Sequence, residues 1–113
     1  MRAVDVTSGM ELARAVSVAD TFVTRLKGLL GKKELPRGQG LWIRPCNSVH
    51  TFGMKFPIDV AFLDGEQRVV AVATTLAPNR VSGFHPKASS VLELPAGTLD
   101  ATVTVIGNKI EIA

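Results

Sequence analysis

A chain of 113 residues with one cysteine, Cys46, cannot close a disulfide within itself, so its stability has to come from a packed core. A domain of this length buries roughly two-thirds of the surface its unfolded form exposes, which is enough to hold such a core. Long hydrophobic runs are missing as well. No uncharged apolar stretch approaches the roughly 20 residues that cross a bilayer, and Met1 to Gly9 carries no apolar run of signal-peptide length. These absences lead to the expectation of a soluble, cytoplasmic protein with no membrane partner. The chain also lacks a P-loop, a dinucleotide fingerprint and a nucleophile elbow, so no common reaction class is marked and no cofactor is indicated. Repeats, linkers and low-complexity tracts are absent too, and residues 1–113 read as a single domain.

What is present is unevenly charged. Between Arg25 and Lys55, seven cations (Arg25, Lys27, Lys32, Lys33, Arg37, Arg44 and Lys55) oppose Glu34 alone, a local net charge of +6 that leaves −3 for the rest of a chain totalling +3. Such a stretch suits phosphates, nucleic acid or acidic ligands, or serves only as a solvated face. Only Trp42, Phe52 and Phe56 are interleaved with it, a weak pattern for stacking bases.

The remaining pattern is strand-rich. Ala3 to Thr7 and Glu11 to Val18, separated by Ser8-Gly9-Met10, predict a hairpin. Asp20 is placed as an N-cap ahead of Phe22, Val23, Leu26, Leu29 and Leu30 at helical spacing, with Gly31 as the C-terminal left-handed residue. That spacing predicts the main helix at about Asp20 to Leu30. Arg25 falls at the margin of its apolar stripe, where the guanidinium can reach a neighbouring loop. Leu41-Trp42-Ile43 is a short apolar run stopped by Pro45. Ile58 to Leu63 is apolar on both alternating faces except at Asp59, which marks an internal strand, and Asp64-Gly65 turns the chain into Arg68 to Thr75. Ser90 to Leu94 and Lys109 to Ile112 are further strands.

Chemistry is concentrated between Pro45 and Asp59, which holds Cys46, one of the two histidines (His50), Lys55 and Asp59. On a straight strand Cys46 and His50 would lie roughly 13 Å apart. Contact therefore requires a bend at Asn47-Ser48. With that bend His50 would activate Cys46 as a nucleophile, and Asp59 would orient the imidazole. Without it Cys46 is a packing residue with an ordinary or sluggish thiol, the favoured reading. Asp59, in a strand covered on both faces, needs partners. The expectation is one polar network of His50, Asp59 and at least one of Arg25, Lys55 or Arg80 beside Cys46. Glu93, within Val91-Leu92-Glu93-Leu94, is a second buried acid. No metal site is expected, because only Cys46, His50 and either His85 or Asp59 are available, short of a strong donor set.

Several motifs in order carry a family resemblance: Arg25-Leu26-Lys27-Gly28-Leu29-Leu30, Leu35-Pro36, Gly40-Leu41, Pro45-Cys46, His50-Thr51-Phe52-Gly53-Met54-Lys55, Pro57-Ile58-Asp59 and Val91 through Gly97. Together they resemble the bacterial and archaeal family named domain of unknown function 192. The resemblance implies a mainly β, compact antiparallel sandwich or barrel-like domain with one or two short helices, and no established activity. It also implies a helical turn within Thr98 to Ile106, although Thr102 to Ile106 is strand-prone. Many relatives carry an export signal that is absent here, and the usual Gly-Asp pair before the last strand is Gly107-Asn108.

Three function classes follow. The favoured one is a small binding or accessory module with a polar cleft for a small, anionic ligand, drawing on Arg25, Cys46, His50, Lys55, Asp59 and Glu93. The second is a thiol or histidine enzyme, hydrolytic in type, using Cys46, His50 and Asp59. The third is phosphate or nucleic-acid binding through residues 25–55.

Overall fold

A computed structural model describes residues 1–113. The chain forms β1 (Ala3–Asp5), β2 (Met10–Ala13), β3 (Ala15–Ala19), α1 (Phe22–Lys27), β4 (Gln39–Ile43), β5 (Ile58–Leu63), β6 (Val69–Leu76), β7 (Ser90–Pro95), α2 (Thr98–Ala101) and β8 (Ile110–Ile112). The strands build a three-stranded sheet ordered β2-β1-β8 and a five-stranded sheet ordered β3-β4-β7-β5-β6. The architecture is mainly β with two short helices. Every pairing is antiparallel except β3 with β4, whose parallel register (Ala15 with Gln39 through Ala19 with Ile43) needs the long crossover that α1 and the following loop supply.

The expected N-terminal hairpin forms between β1 and β2, tightened by the Asp5 carboxylate, whose Oδ1 accepts from the amides of Thr7 and Ser8. Its second run breaks at Arg14: the amides of Arg14 and Ala15 both donate to the Gly38 carbonyl, and the chain passes into the other sheet. Ile58–Leu63 is buried throughout and lies between β6 and β7, as its double-sided apolar pattern predicts.

The five-stranded sheet divides the core in two. One face packs Trp42, Ala61, Leu63, Leu92 and Leu94 against the small sheet and Leu99 of α2. The other packs Leu41, Ile43, Val60, Phe62 and Val91 against Leu29, Val49 and Met54. The period-2 alternation of β-strands thus assigns each residue of β5 and β7 to one core or the other.

The helix departs most from expectation. It spans six residues, and its N-cap is Thr21 rather than Asp20. The Thr21 hydroxyl accepts from the Thr24 amide (3.1 Å) while the Thr24 hydroxyl accepts from the Thr21 amide (3.0 Å), a reciprocal capping box. It ends at Gly28 (φ 50°), three residues before Gly31, because only glycine takes that positive φ without strain. Leu29 and Leu30 therefore fall in the turn and enter the core, whereas Phe22, Val23 and Leu26 are 73%, 71% and 64% exposed. The predicted apolar stripe faces outward.

Within residues 98–106, α2 supplies the helical turn and no strand follows. The threonines are committed elsewhere: Thr102 donates to the Thr98 carbonyl, and Thr104 donates to Asp5 Oδ2. Asn108 donates to that same oxygen at 2.8 Å. An aspartate there would set two buried carboxylates against each other, so Asn108 is the residue that suits Asp5. Burial works against the Asp5 anion, but the hydrogen bonds from Ser8, Asn108, Thr104 and Thr7 outweigh it and hold its carboxyl below the usual range. No helix is long and apolar enough to cross a membrane.

Candidate functional site

Between α1, the segment after β4 and the middle of β7 lies a small cleft of about 70 Å³, room for a single functional group rather than a whole drug-sized ligand. Leu26, Leu29, Leu30, Ile43, Val49 and Met54 form its apolar walls, and Arg25, Lys27, Cys46, Ser48, His50 and Glu93 are its polar groups. A second depression, over Ala15, Ser17, Leu29 and Leu41, holds no unpartnered buried polar atom. The α1 cleft holds two.

The loop wall is fixed by side-chain ties. Thr51 is fully buried; its hydroxyl donates to the Ala77 carbonyl (2.6 Å) and accepts from the Arg80 amide (2.9 Å). Ser82 Oγ accepts from the Val49 amide, and Asn79 Oδ1 accepts from the Gly53 amide. These contacts pin residues 49–53 to the 77–82 segment and give Val49 and Met54 a firm backing.

Glu93 sits where β-strand geometry puts it and chemistry would not. Its neighbours across the sheet are Leu41 of β4 and Val60 of β5, both apolar. It is 3% exposed, and its Oε1 has no hydrogen-bond partner. Burial alone pushes its carboxyl up to about 7. Arg25 reaches over the same cleft from α1, and its Nη1 donates to the Pro45 carbonyl at 3.2 Å. Its Nε is buried and unpartnered. Arg25 and Glu93 nevertheless form no ion pair; the sole salt bridge in the protein joins Arg2 and Glu11 at the surface. A donor and an acceptor therefore line one cleft without pairing with each other.

Cys46 and His50 do not form a dyad. Cys46 Sγ donates to the Ser48 carbonyl at 3.1 Å, and His50 stacks on Phe52 with ring centroids 5.4 Å apart. Burial is the main influence on the Cys46 thiol and pushes it up, with Glu93 adding to the effect and Arg25 opposing it. A thiol of that kind is a poor nucleophile at neutral pH.

The expected network of His50 and Asp59 does not exist. Asp59 and Glu93 lie on opposite faces of the sheet, because β5 and β7 pair Asp59 with Leu94 and Val60 with Glu93. Asp59 is fully buried, and its partners are backbone amides: Thr75 (2.8 Å), Gly97 (3.1 Å) and Leu99 (2.9 Å). It holds the start of α2 and keeps Thr75 at φ 50°, a conformation that β-branched residues rarely adopt. Lys55 is exposed and outside the cleft, and Arg80 contributes only its backbone. His85 packs its ring on Phe62. No three metal-ligating side chains converge anywhere. Trp42 is buried and unavailable for stacking bases, with the Arg44 guanidinium over its ring at 4.3 Å.

Sequence reasoning missed how close Gly28 comes to Glu93: a Cβ there would lie in ordinary contact, 3.9 Å from Oε1. It also missed the exposed Phe22, Leu26, Val81 and Phe84 around the mouth, since an apolar residue at helical spacing carries no signal distinguishing rim from core.

A small β-rich domain with one cleft cut against the middle of its larger sheet is the class these observations define. Residues 4–112 match the family model for domain of unknown function 192, described as "Uncharacterized ACR", and the chain belongs to that family. A UPF0127 protein of Pyrococcus horikoshii is 39% identical over 101 residues, covering 85% of each chain. Another from Pyrococcus furiosus is 33% identical over 112 residues, covering 95% of this chain and 94% of that one. Two solved structures share the fold. A Novosphingobium aromaticivorans protein of unknown function superposes with a TM-score of 0.75 at 22% identity, covering 99% of this chain and 93% of its own. A Sinorhizobium meliloti protein, whose name proposes a transcription regulator, gives 0.80 at 18% identity, covering 97% and 89%. None of these relatives brings an established activity.

Proposed function

We propose that the domain is a small-ligand binding or accessory module whose cleft takes a polar group between Glu93 and Arg25 while Leu26, Leu29, Ile43 and Met54 enclose its apolar part. The observation that carries this reading is the Glu93 Oε1 atom, buried and unpartnered at the cleft floor. A buried acceptor left without a donor costs about 1–3 kcal/mol, and a ligand N–H or O–H supplies what the protein withholds. His50, exposed at the rim, and Cys46, half-buried in the wall, shape the entrance. A free thiol accords with a cytoplasmic setting.

A thermal-shift screen with small amides, alcohols, amines and their carboxylated analogues tests the reading. A ligand at a hundredfold excess over Kd raises stability by about 2.7 kcal/mol. Hits that stabilise the wild type and lose their effect in Glu93→Leu, which removes the acceptor, support the cleft; hits unaffected by that change, or no hits, count against it.

One observation favours a second reading, in which the bound molecule reacts. A carboxyl near 7 sits where a general acid or base works best, so Glu93, rather than Cys46, would be the group to carry chemistry. Turnover of a hit followed by NMR, abolished in Glu93→Gln, would establish it. Phosphate or nucleic-acid binding through residues 25–55 predicts affinity that falls steeply with salt, which a titration separates from both.

A further inference from the structure

Resting on the cleft reading above, we infer that the natural occupant is an extended peptide segment, with one backbone amide spanning Arg25 and Glu93 and apolar side chains on either side. The cleft does not end at its own walls. Past Arg25 and Cys46 it continues into a well formed by Phe22, Ile43 and Pro45. Past Ser48 and His50 it continues into a second well formed by Phe52, Val81 and Phe84. The cleft shares Arg25, Leu26, Ile43 and Cys46 with the first of these and Ser48, Val49 and His50 with the second, so a shallow apolar depression adjoins it on each side.

The contents of the cleft select the occupant. Its middle offers one unpartnered acceptor, Glu93 Oε1, and one unpartnered donor, Arg25 Nε. An amide presents the complementary N–H and C=O, and an extended chain places side chains to either side of it. Phe22, Leu26 and Phe84 are 73%, 64% and 66% exposed, so the wells have nothing of this chain to cover them. Apart from Glu93, no acidic residue lines any of the three depressions, whereas Arg25 and Lys27 do. An acidic residue on the side of the peptide next to Arg25 and Lys27 complements that charge. A small molecule fits the middle and leaves both wells empty.

A positional-scanning library of capped hexapeptides, read by fluorescence anisotropy against the full chain, tests this. The expected result is selection of Leu, Ile, Met or Phe at two positions on either side of a tolerant centre, with Asp or Glu favoured on the side next to Arg25 and Lys27. The selected peptide should bind about tenfold or more weakly to Phe22→Ser and to Phe84→Ser. It should weaken similarly when its central amide is N-methylated and when Glu93 is replaced by Leu, which removes the acceptor. Both phenylalanines are exposed, so these variants leave the core intact. A flat profile, with small amides still giving a Glu93-dependent thermal shift, overturns the peptide and spares the cleft. Absence of any Glu93-dependent binding overturns both. Adsorption to phosphatidylserine vesicles that needs Phe22 and Phe84 but not Glu93, or self-association at the same face, without peptide selection, also overturns the peptide.

Discussion

Asp59 and Glu93 are buried acids on adjacent strands of one sheet, and the protein treats them in opposite ways. On one face, Asp59 is enclosed by the amides of Thr75, Gly97 and Leu99, so its charge becomes a fixed part of the fold. On the other face, Glu93 looks across to Leu41 and Val60 and keeps an oxygen free. The difference separates a carboxylate that builds structure from one that costs stability. An acid kept at a cost, at the floor of a cleft, is the residue to suspect of function.

The contrast breaks most visibly at Asp59. Replacing it with Ala strands three buried amides and should lower stability by about 4 kcal/mol in urea denaturation. A loss below about 0.5 kcal/mol, the size of an ordinary surface change, would mean those bonds do not form. The next effect belongs to Glu93 and has the opposite sign. Its carboxyl rises from 4.5 unfolded to about 7 folded, so the folded state holds its proton more tightly. The associated stability is fully present below pH 4.5 and is lost as pH rises through about 7, roughly 3 kcal/mol in all. Glu93→Gln should remove that slope and be more stable than the wild type at pH 8 by about 2 kcal/mol, whereas Asp59→Asn should gain nothing. Asp5, held below its usual range, works the other way: its contribution is present above pH 3.8 and fades as pH falls further. A smaller effect concerns the cleft wall. Alkylation of Cys46 by iodoacetamide should be slow and inflect above the pH of a free thiol, since burial raises the group; an inflection below about pH 7 would restore the nucleophile. The smallest concerns the rim, where Phe22→Ser should shift stability by no more than about 0.5 kcal/mol, because α1 buries no side chain.

The strands were legible because burial leaves a periodic mark. Ile58 to Leu63 reads as covered on both sides, and it is. The same periodicity, carried one step further, holds the clue that Asp59 and Glu93 face opposite ways. Using it requires the register of β5 against β7, which no local pattern supplies. The helix misled for a related reason. Phe22, Val23 and Leu26 repeat as a core stripe would, but Gly28 ends the helix before Leu29 can continue it, and the stripe is left outside. Arg25 was placed correctly at the margin, with its guanidinium reaching Pro45. Grouping Asp59 and Lys55 with His50 failed because proximity in sequence substituted for proximity in space. Asp59 needed partners, as burial demands, and found them in backbone amides rather than in cations.

The titration of the Glu93 carboxyl carbon by NMR in the unliganded protein tests the contrast most directly. A midpoint near 7 is the predicted result. A midpoint at or below the ordinary value of 4.5 would show that the acid is already neutralised or hydrated where it stands, and that the cleft floor has no unmet partner for a ligand to supply.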